Sequence, residues 1–272
     1  MRRLPVAALL PGLVLTLVLV LAFLASGTAR AAGALENYTL IEKLTEGSRV
    51  QLGLGGGFSV KEYRDYAVQA SPVPIIHYES RYVYVRGLTG GFNFFKNEDH
   101  ELSVTLSYLP QSFYADMSDN NRMKELDDRF STMMAGLSWN FKPGIGYFNL
   151  SGQMDVLGVN NGVTVQASYG LPVPFGWGTL TPVIGAVWTD ANYNDYYYGI
   201  SRSESRRSGY RTYDGEACVS PYMDLVFNVP LTEHISLNVS AKAAYLPDSV
   251  SDSPMVDKSC RFSAAAGVSY QF

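Results

Sequence analysis

Hydrophobic and polar residues alternate along the end of the chain, from Cys260 to Phe272. One side of this stretch is apolar and ends on an aromatic residue, whereas the other side is small or polar. The apolar side comprises Phe262, Ala264, Ala266, Val268, Tyr270 and Phe272. Successive side chains of a β-strand point to opposite faces, so the pattern predicts a strand with one apolar face. Apolar-out, polar-in strands of about 10 residues build membrane-spanning β-barrels.

Further stretches with alternating or strand-like patterns occur along the chain. They are residues 51–60, 71–78, 81–88, 91–97, 101–108, 132–141, 148–156, 163–169, 179–189, 219–229 and 234–245. Together with the last stretch they predict an all-β fold, a transmembrane antiparallel β-barrel of 12 strands. Pro72 and Pro74 weaken the second stretch because proline cannot donate to a ladder. Omitting it and merging 81–95 into one strand gives the alternative of 10 strands.

The connections between these strands differ in length in a regular way. Residues 110–127, 190–215 and 246–258 form long polar connections, and they alternate with short turns at 142–145, 172–178 and 230–233. Membrane barrels have short periplasmic turns and long external loops. We therefore expect the long connections outside the cell and both chain ends in the periplasm.

The N-terminus has the order of a secretory signal peptide. Arg2 and Arg3 precede an apolar run, and Ala29-Arg30-Ala31 follows it as a cleavage site. The alternative is an uncleaved anchor, because about 20 apolar residues can span a bilayer. We expect cleavage after Ala31, which leaves residues 32–272 as the barrel domain. The final residues Val268, Tyr270 and Phe272 resemble the signal that barrel-assembly machinery reads, so this machinery and outer-membrane lipid are expected partners.

Charge and composition exclude several function classes. Cleavage would remove three arginines and change the formal net charge from −4 to −7, which argues against nucleic acid as a partner. Three histidines without clustered ligand spacing predict neither a metal site nor a cofactor. No G-x-S-x-G motif occurs, and the glycine run at 53–57 lacks phosphate-loop spacing. We expect a glycine-lined strand there, and no enzyme.

Two groups of residues remain as candidate sites. An exported chain meets an oxidising compartment, where Cys218 and Cys260 either pair as a disulfide or stay as two free thiols. Both alternatives are open. The inward positions of the predicted strands also carry charged residues, which either line a pore or form an internal polar network: Glu101, Asp155, Asp224, Lys242 and Arg261.

Several segments resemble one known family. They are Gly53–Gly57, Ala70–Tyr78 (ASPVPIIHY), Tyr193–Ser201 (YNDYYYGIS), Asp252–Val256 (DSPMV) and the terminal GVSYQF. Over nearly the whole chain after residue 31, the sequence is similar to the MipA/OmpV family of MltA-interacting outer-membrane proteins. The resemblance implies an outer-membrane barrel without catalytic residues, in a Gram-negative type of envelope.

The resemblance also implies a role in murein remodelling. Members of this family are thought to act as scaffolds that bring a lytic transglycosylase together with a peptidoglycan synthase of the penicillin-binding class. Others are described as porin-like or adhesive, and these two functions stay as alternatives. An adhesin would use the tyrosine-rich connection at 190–215, whereas a pore would need an open polar lumen.

Overall fold

A computed structural model describes residues 48–272 of the chain. Strands are the main regular structure of the described part, and its helices are confined to the connections. Its strands are β1 Arg49–Val60, β2 Gln69–Glu79, β3 Val83–Arg86, β4 Thr89–Lys96, β5 His100–Leu109, β6 Thr132–Phe141, β7 Tyr147–Asp155, β8 Val163–Gly170, β9 Val173–Phe175, β10 Gly178–Thr189, β11 Cys218–Pro230, β12 Ile235–Tyr245 and β13 Cys260–Gln271. The predicted signal peptide (1–31) and the start of the predicted barrel domain (32–47) lie outside the described residues.

The strands close into an antiparallel barrel. Each strand pairs with its neighbour in sequence, except that β8 pairs with β10, and the first strand β1 pairs with the last strand β13. The short β9 pairs only with Gly178–Leu180 of β10, so it lies outside the closed ring. Twelve strands therefore form the wall, which confirms the preferred count. The strand β2 contains Pro72 and Pro74, so the 10-strand alternative is wrong.

The glycine run of β1 forms one side of the seam with β13. Gly55 pairs with Gly267, and a Cβ atom added to Gly55 would collide with the main-chain oxygen of Ala266. Gly53 meets the backbone at Val268 in the same way. The absence of side chains lets the two strands approach closely where the barrel closes.

The two faces of the wall differ as the alternation predicts. Outward apolar side chains remain exposed, such as Leu54 at 67%, Leu137 at 60% and Ile184 at 60%. Inward positions such as Ser103 and Thr105 are buried and polar. An exterior of this kind suits lipid, because hydrocarbon offers no partners to polar groups. Within residues 48–272, no helix is long and apolar enough to cross a membrane.

The two ends of the barrel carry different connections. One end, here called the turn end, has the short connections 80–82, 97–99, 142–146, 171–177 and 231–234, together with the C-terminus. The opposite end, the cap end, has residues 61–68, 87–88, 110–131, 156–162, 190–217 and 246–259. All the long connections thus lie at a single end, as their alternation with short turns along the chain predicts.

The long connections contain more regular structure than the sequence indicated. They were predicted to be irregular polar loops, but they hold the helices α1 Ala191–Tyr198, α2 Arg202–Ser208 and α3 Asp248–Ser251, and short 3₁₀ turns at Ala115–Met117 and Met123–Glu125. Together these connections fold over the mouth of the barrel. We call the assembly of residues 61–68, 110–131, 190–217 and 246–259 the cap.

Candidate functional site

The cap has a hydrophobic core of its own. Residues from all four of its connections are buried together, and they include Tyr63, Phe113, Tyr197, Ile200 and Met255, each at most 1% exposed. The ring of Tyr63 lies 4.9 Å from that of Phe113 and 5.9 Å from that of Tyr198, between centroids. Such packing excludes water from the core of the cap, and this core lies at the cap end of the lumen.

Local capping signals explain the two longer cap helices. The Asp190 side chain accepts a hydrogen bond from the Tyr193 amide at 2.9 Å and begins α1. Ser201 and Glu204 form a reciprocal capping box at the start of α2, and Gly209 ends that helix with a left-handed φ of 70°. The capping carboxylate also forms a buried ion pair at 2.7 Å with Arg129, which fixes α2 against residues 110–131.

A buried ion pair joins the cap to the barrel wall. Glu62 is fully buried and follows the end of β1, whereas Arg261 points inward from β13. The guanidinium donates to the carboxylate through Nε at 2.9 Å and Nη2 at 2.6 Å. The hydroxyl of Tyr198, on α1, donates to the same carboxylate at 2.7 Å, and Gln111 Nε2 donates at 3.1 Å. These contacts, here called the cap latch, tie three connections to the closing strand.

The cap latch keeps its charge under acidic conditions. Burial alone would raise the pKa of Glu62, but the facing Arg261 and the hydrogen bonds from Arg261 and Tyr198 lower it from 4.5 to about 2. Burial raises the pKa of Tyr198 well above its ordinary value, so its hydroxyl remains a donor. The carboxylate is therefore ionised throughout the neutral and mildly acidic range.

A pH dependence of the cap follows from this shift. A carboxyl group with a lowered folded pKa stabilises the fold above its unfolded pKa, and that stability is lost as the pH falls through the folded value. We expect the urea concentration that opens the cap, followed by tyrosine fluorescence, to be constant above about pH 5 and to fall between about pH 4.5 and 2. In the Glu62→Gln variant the fall should be shallower. An identical profile in both proteins would contradict a role for this carboxyl group.

Beneath the cap, the lumen contains a cavity of about 850 Å³. It extends from Lys142 and Tyr147, near the turn end, to Leu109 and Met134 below the cap. Most of the side chains that line it are polar, which agrees with the inward faces predicted from alternation. The lumen is thus a largely polar cavity, with the packed core of the cap above it.

The charged residues predicted to lie in the lumen do not form one network. Glu101 is 2% exposed and accepts from Arg86 at 2.8 Å, and the Nδ2 atom of Asn140 donates to it at 3.2 Å. Lys96 and Arg86 both also contact Glu79, at 2.5 and 3.0 Å. Alternation identified Glu101 as inward, and its partners Arg86, Lys96 and Asn140 lie on β3, β4 and β6.

The other four predicted residues lie in three different places. Asp155 accepts from Thr132 at 2.6 Å and from main-chain amides of the 156–162 turn, so it orders that turn at the cap end. Asp224 and Lys242 are cross-strand neighbours facing the cavity, where the ammonium of Lys242 lies 4.0 Å from the ring centroid of Tyr222. Arg261 belongs to the cap latch, and its partner Glu62 was not identified from the sequence.

The two cysteines are free thiols in this structure. Cys218 is buried at the start of β11, and Cys260 is exposed at the start of β13. The strand β12 lies between them. Two strand spacings are about 10 Å, beyond the roughly 7 Å of Cα separation that a disulfide allows. The described geometry therefore favours the free-thiol alternative.

The tyrosines of residues 190–215 face the core of the cap. Tyr193, Tyr197, Tyr198 and Tyr210 are at most 9% exposed. An adhesive surface would have to display these rings to solvent. The expectation that this connection presents tyrosines to a partner is therefore not supported by their burial.

The turn end presents exposed apolar side chains at the tips of its connections. Ile145 is 72% exposed, Trp177 is 65% exposed and Leu231 is 55% exposed. The C-terminal Phe272 is 74% exposed and packs edge-on against Tyr270 at 4.9 Å between centroids. Exposed apolar side chains on short tips are candidates for contact with another protein. Among the described residues, no cluster of His, Cys, Asp or Glu could hold a metal ion.

Comparison with known proteins finds relatives among outer-membrane proteins. A family model described as "MltA-interacting protein MipA" matches residues 52–272. The chain is 38% identical over 224 residues to the MltA-interacting protein of Escherichia coli K12, covering 82% of this chain and 90% of that protein. It is 26% identical over 184 residues to the outer membrane protein OmpV of Vibrio cholerae, covering 66% and 70%. The solved NanC porin covers 82% of this chain and 99% of its own, at 8% identity and a TM-score of 0.38.

Proposed function

The chain belongs to the MltA-interacting protein MipA family of outer-membrane β-barrels, and we propose that it is a scaffold that holds a murein lytic transglycosylase at its turn end. One observation carries the proposal. The cap end is closed by a packed core, whereas the turn end offers short tips with exposed apolar side chains. A relative at 38% identity is named for its interaction with MltA, which supports the same partner class here.

The proposal fixes an orientation for the barrel. Short turns of outer-membrane barrels face the periplasm, where murein and its remodelling enzymes lie. The turn end and the C-terminus would then be periplasmic, and the cap would face outward.

The barrel acts in this proposal by binding and not by catalysis. A stable interface buries about 800 Å² on each partner, more than the small tips supply alone. The transglycosylase would therefore also use residues 32–47 or the rim of the lumen. A peptidoglycan synthase of the penicillin-binding class would join through the enzyme or the same N-terminal segment.

The test is a matched pair of double variants of the folded barrel. Ile145→Ser with Leu231→Ser removes two exposed apolar tips at the turn end. Val156→Ser with Leu157→Ser removes two side chains that are 48% and 50% exposed at the cap end. A buried apolar side chain contributes at least about 1.5 kcal/mol, so we expect the first variant to bind a purified lytic transglycosylase at least about tenfold more weakly.

Surface-immobilised barrel and soluble enzyme give the affinities directly. The cap-end variant should bind as tightly as the unchanged protein, and heat-modifiable migration in gels should show that both variants are folded. Equal affinities for all three proteins, or a loss confined to the cap-end variant, would refute binding at the turn end.

A further inference from the structure

The β3–β4 hairpin is shorter than the strands on either side of it. The strand β3 pairs with β2 only from His77 to Glu79, and the last backbone bond on this side runs from the Gly87 amide to the Ile76 oxygen. On the other flank, β4 begins to pair with β5 at Ser107, and the Tyr108 amide donates to the Leu88 oxygen. Among the described residues, no strand pairs with 69–75 of β2 on this side.

The strand ladder of the wall therefore has a gap at this place, here called the wall window. Three strand spacings separate the backbones of β2 and β5, so the window is about 14 Å wide between them. The hairpin tip at 87–88 forms its lower edge. Two segments of the cap form its upper edge, where the Ala67 amide donates to the Met117 oxygen and the Asp119 amide to the Asp65 oxygen.

Prolines occupy the two margins of the wall window. Alternate residues of an antiparallel strand direct their backbone groups toward the same neighbour. The Ile76 oxygen faces the window side, so Pro72 and Pro74 face it as well. The Tyr108 amide faces it from β5, and Pro110 follows two residues later. Proline has no N–H group, so an added strand would find few donors along these margins, and strand pairing is not the expected use.

The rim of the wall window is apolar and lies level with the lipid-facing wall. Val68, Leu88 and Leu106 around the opening are 60%, 42% and 47% exposed, respectively. Pro74 pairs in register with Leu54, whose side chain is 67% exposed on the outer face. Open sheet edges in the hydrocarbon region are tolerated only where they are covered or line a cavity. The opening therefore needs an occupant or a chamber behind it.

The lumen cavity supplies that chamber. Tyr108 lies on the outward face of β5 by alternation, yet it lines the cavity, as does its neighbour Leu109. Met134 adds an apolar surface to the part of the cavity below the cap, beside the polar Ser107 and Gln153. Toward the turn end, Asn140, Asn149 and Ser168 make the lining polar. The cavity thus has apolar side chains beside the window and a mostly polar lining toward the turn end.

We propose that the wall window admits the acyl chain of a single-chain amphiphile from the membrane into the lumen cavity. The apolar tail lies between the window rim and the apolar surface below the cap, and the polar head lies among the lumen side chains. The cap latch holds the cap over its end of the lumen, so an amphiphile cannot enter there along the barrel axis. The surrounding membrane is then the source from which it enters at the cap end. The inference is independent of the scaffold function at the turn end.

Photolabelling in vesicles tests the proposal. The refolded barrel is placed in phosphatidylethanolamine–phosphatidylglycerol vesicles containing palmitic acid with a diazirine at the tail end, and labelled residues are located by mass spectrometry. We expect labels on Leu109 or Met134, which face inward, as well as on outward residues such as Leu137. Labels confined to outward residues of the unchanged protein would overturn the proposal.

A hairpin extension provides the matched variant. Two residues inserted before Gly87 and two after Leu88 keep the alternation and lengthen β3 and β4 across the window. The inward labels should fall at least tenfold, while the outward labels stay unchanged. The same four residues inserted at Pro143–Gly144, in a turn away from the window, should leave both sets unchanged. Inward labels that persist in a folded, extended variant would exclude the wall window as the route.

Discussion

Replacing Glu62 by alanine is expected to destabilise the cap by about 3–5 kcal/mol. The carboxylate is fully buried and accepts hydrogen bonds from Arg261, Tyr198 and Gln111. Its removal leaves the guanidinium without its counter-charge and two polar groups without their acceptor. Native-state proteolysis at neutral pH measures the effect, because the cleavage rate follows the population of the opened state. The rate should rise by at least about 100-fold.

Two further variants separate charge burial from a general surface effect. Asp127 pairs with Arg207 at 2.7 Å on the outside of the cap, where both side chains are well exposed. Asp127→Ala should therefore change the opening free energy by less than about 1 kcal/mol. Replacing Glu62 by leucine together with Arg261 by methionine should recover much of the loss, because no unpaired charge then remains. If Glu62→Ala and Asp127→Ala were equally mild, the cap latch would have no structural role.

Removal of the longest cap segment is expected to convert a closed barrel into a conducting one. Thr189 and Cys218 form the last register pair of β10 and β11, so a four-residue turn can replace 190–217 without disturbing the ladder. The replacement takes away α1 and α2, including Tyr197, Tyr198 and Ile200 of the cap core. Water and ions would then reach the lumen through the cap end.

Planar-bilayer recordings distinguish the two states. The unchanged barrel should show no steady current, and the shortened barrel should show discrete open steps. Heat-modifiable migration in gels should be the same for both, because the deleted residues contribute no strand to the wall. A substantial steady current from the unchanged barrel would favour the porin-like alternative over a closed chamber.

The barrel wall was predictable from the sequence because lipid imposes a strict rule on it. Every second side chain must be apolar along stretches such as 132–141 and 234–245, so the period of two is visible without a partner strand. The rule weakens at β2 to β4, where the short hairpin and the prolines border the wall window. The sequence of this region was also the reason that the predicted strand count was either 10 or 12.

The cap was not predictable in the same way, because its stability comes from contacts between distant segments. Glu62 and Arg261 are 199 positions apart, and Glu204 meets Arg129 across 75 positions. The helix α1 is only eight residues long, and its tyrosine run reads as a polar, exposed loop. The Asp190 cap and the Ser201-x-x-Glu204 capping box were the local signals that could have identified both helices.

The position of the cap latch has a consequence for biogenesis. Glu62 follows the first strand of the ring and Arg261 lies on the last, so the two charges meet only when β1 and β13 have found each other. Contacts between chain ends form late, since the loop between them must be closed first. A barrel whose seam is still open therefore cannot form the cap latch, and its cap lacks the contacts that join it to the closing strand.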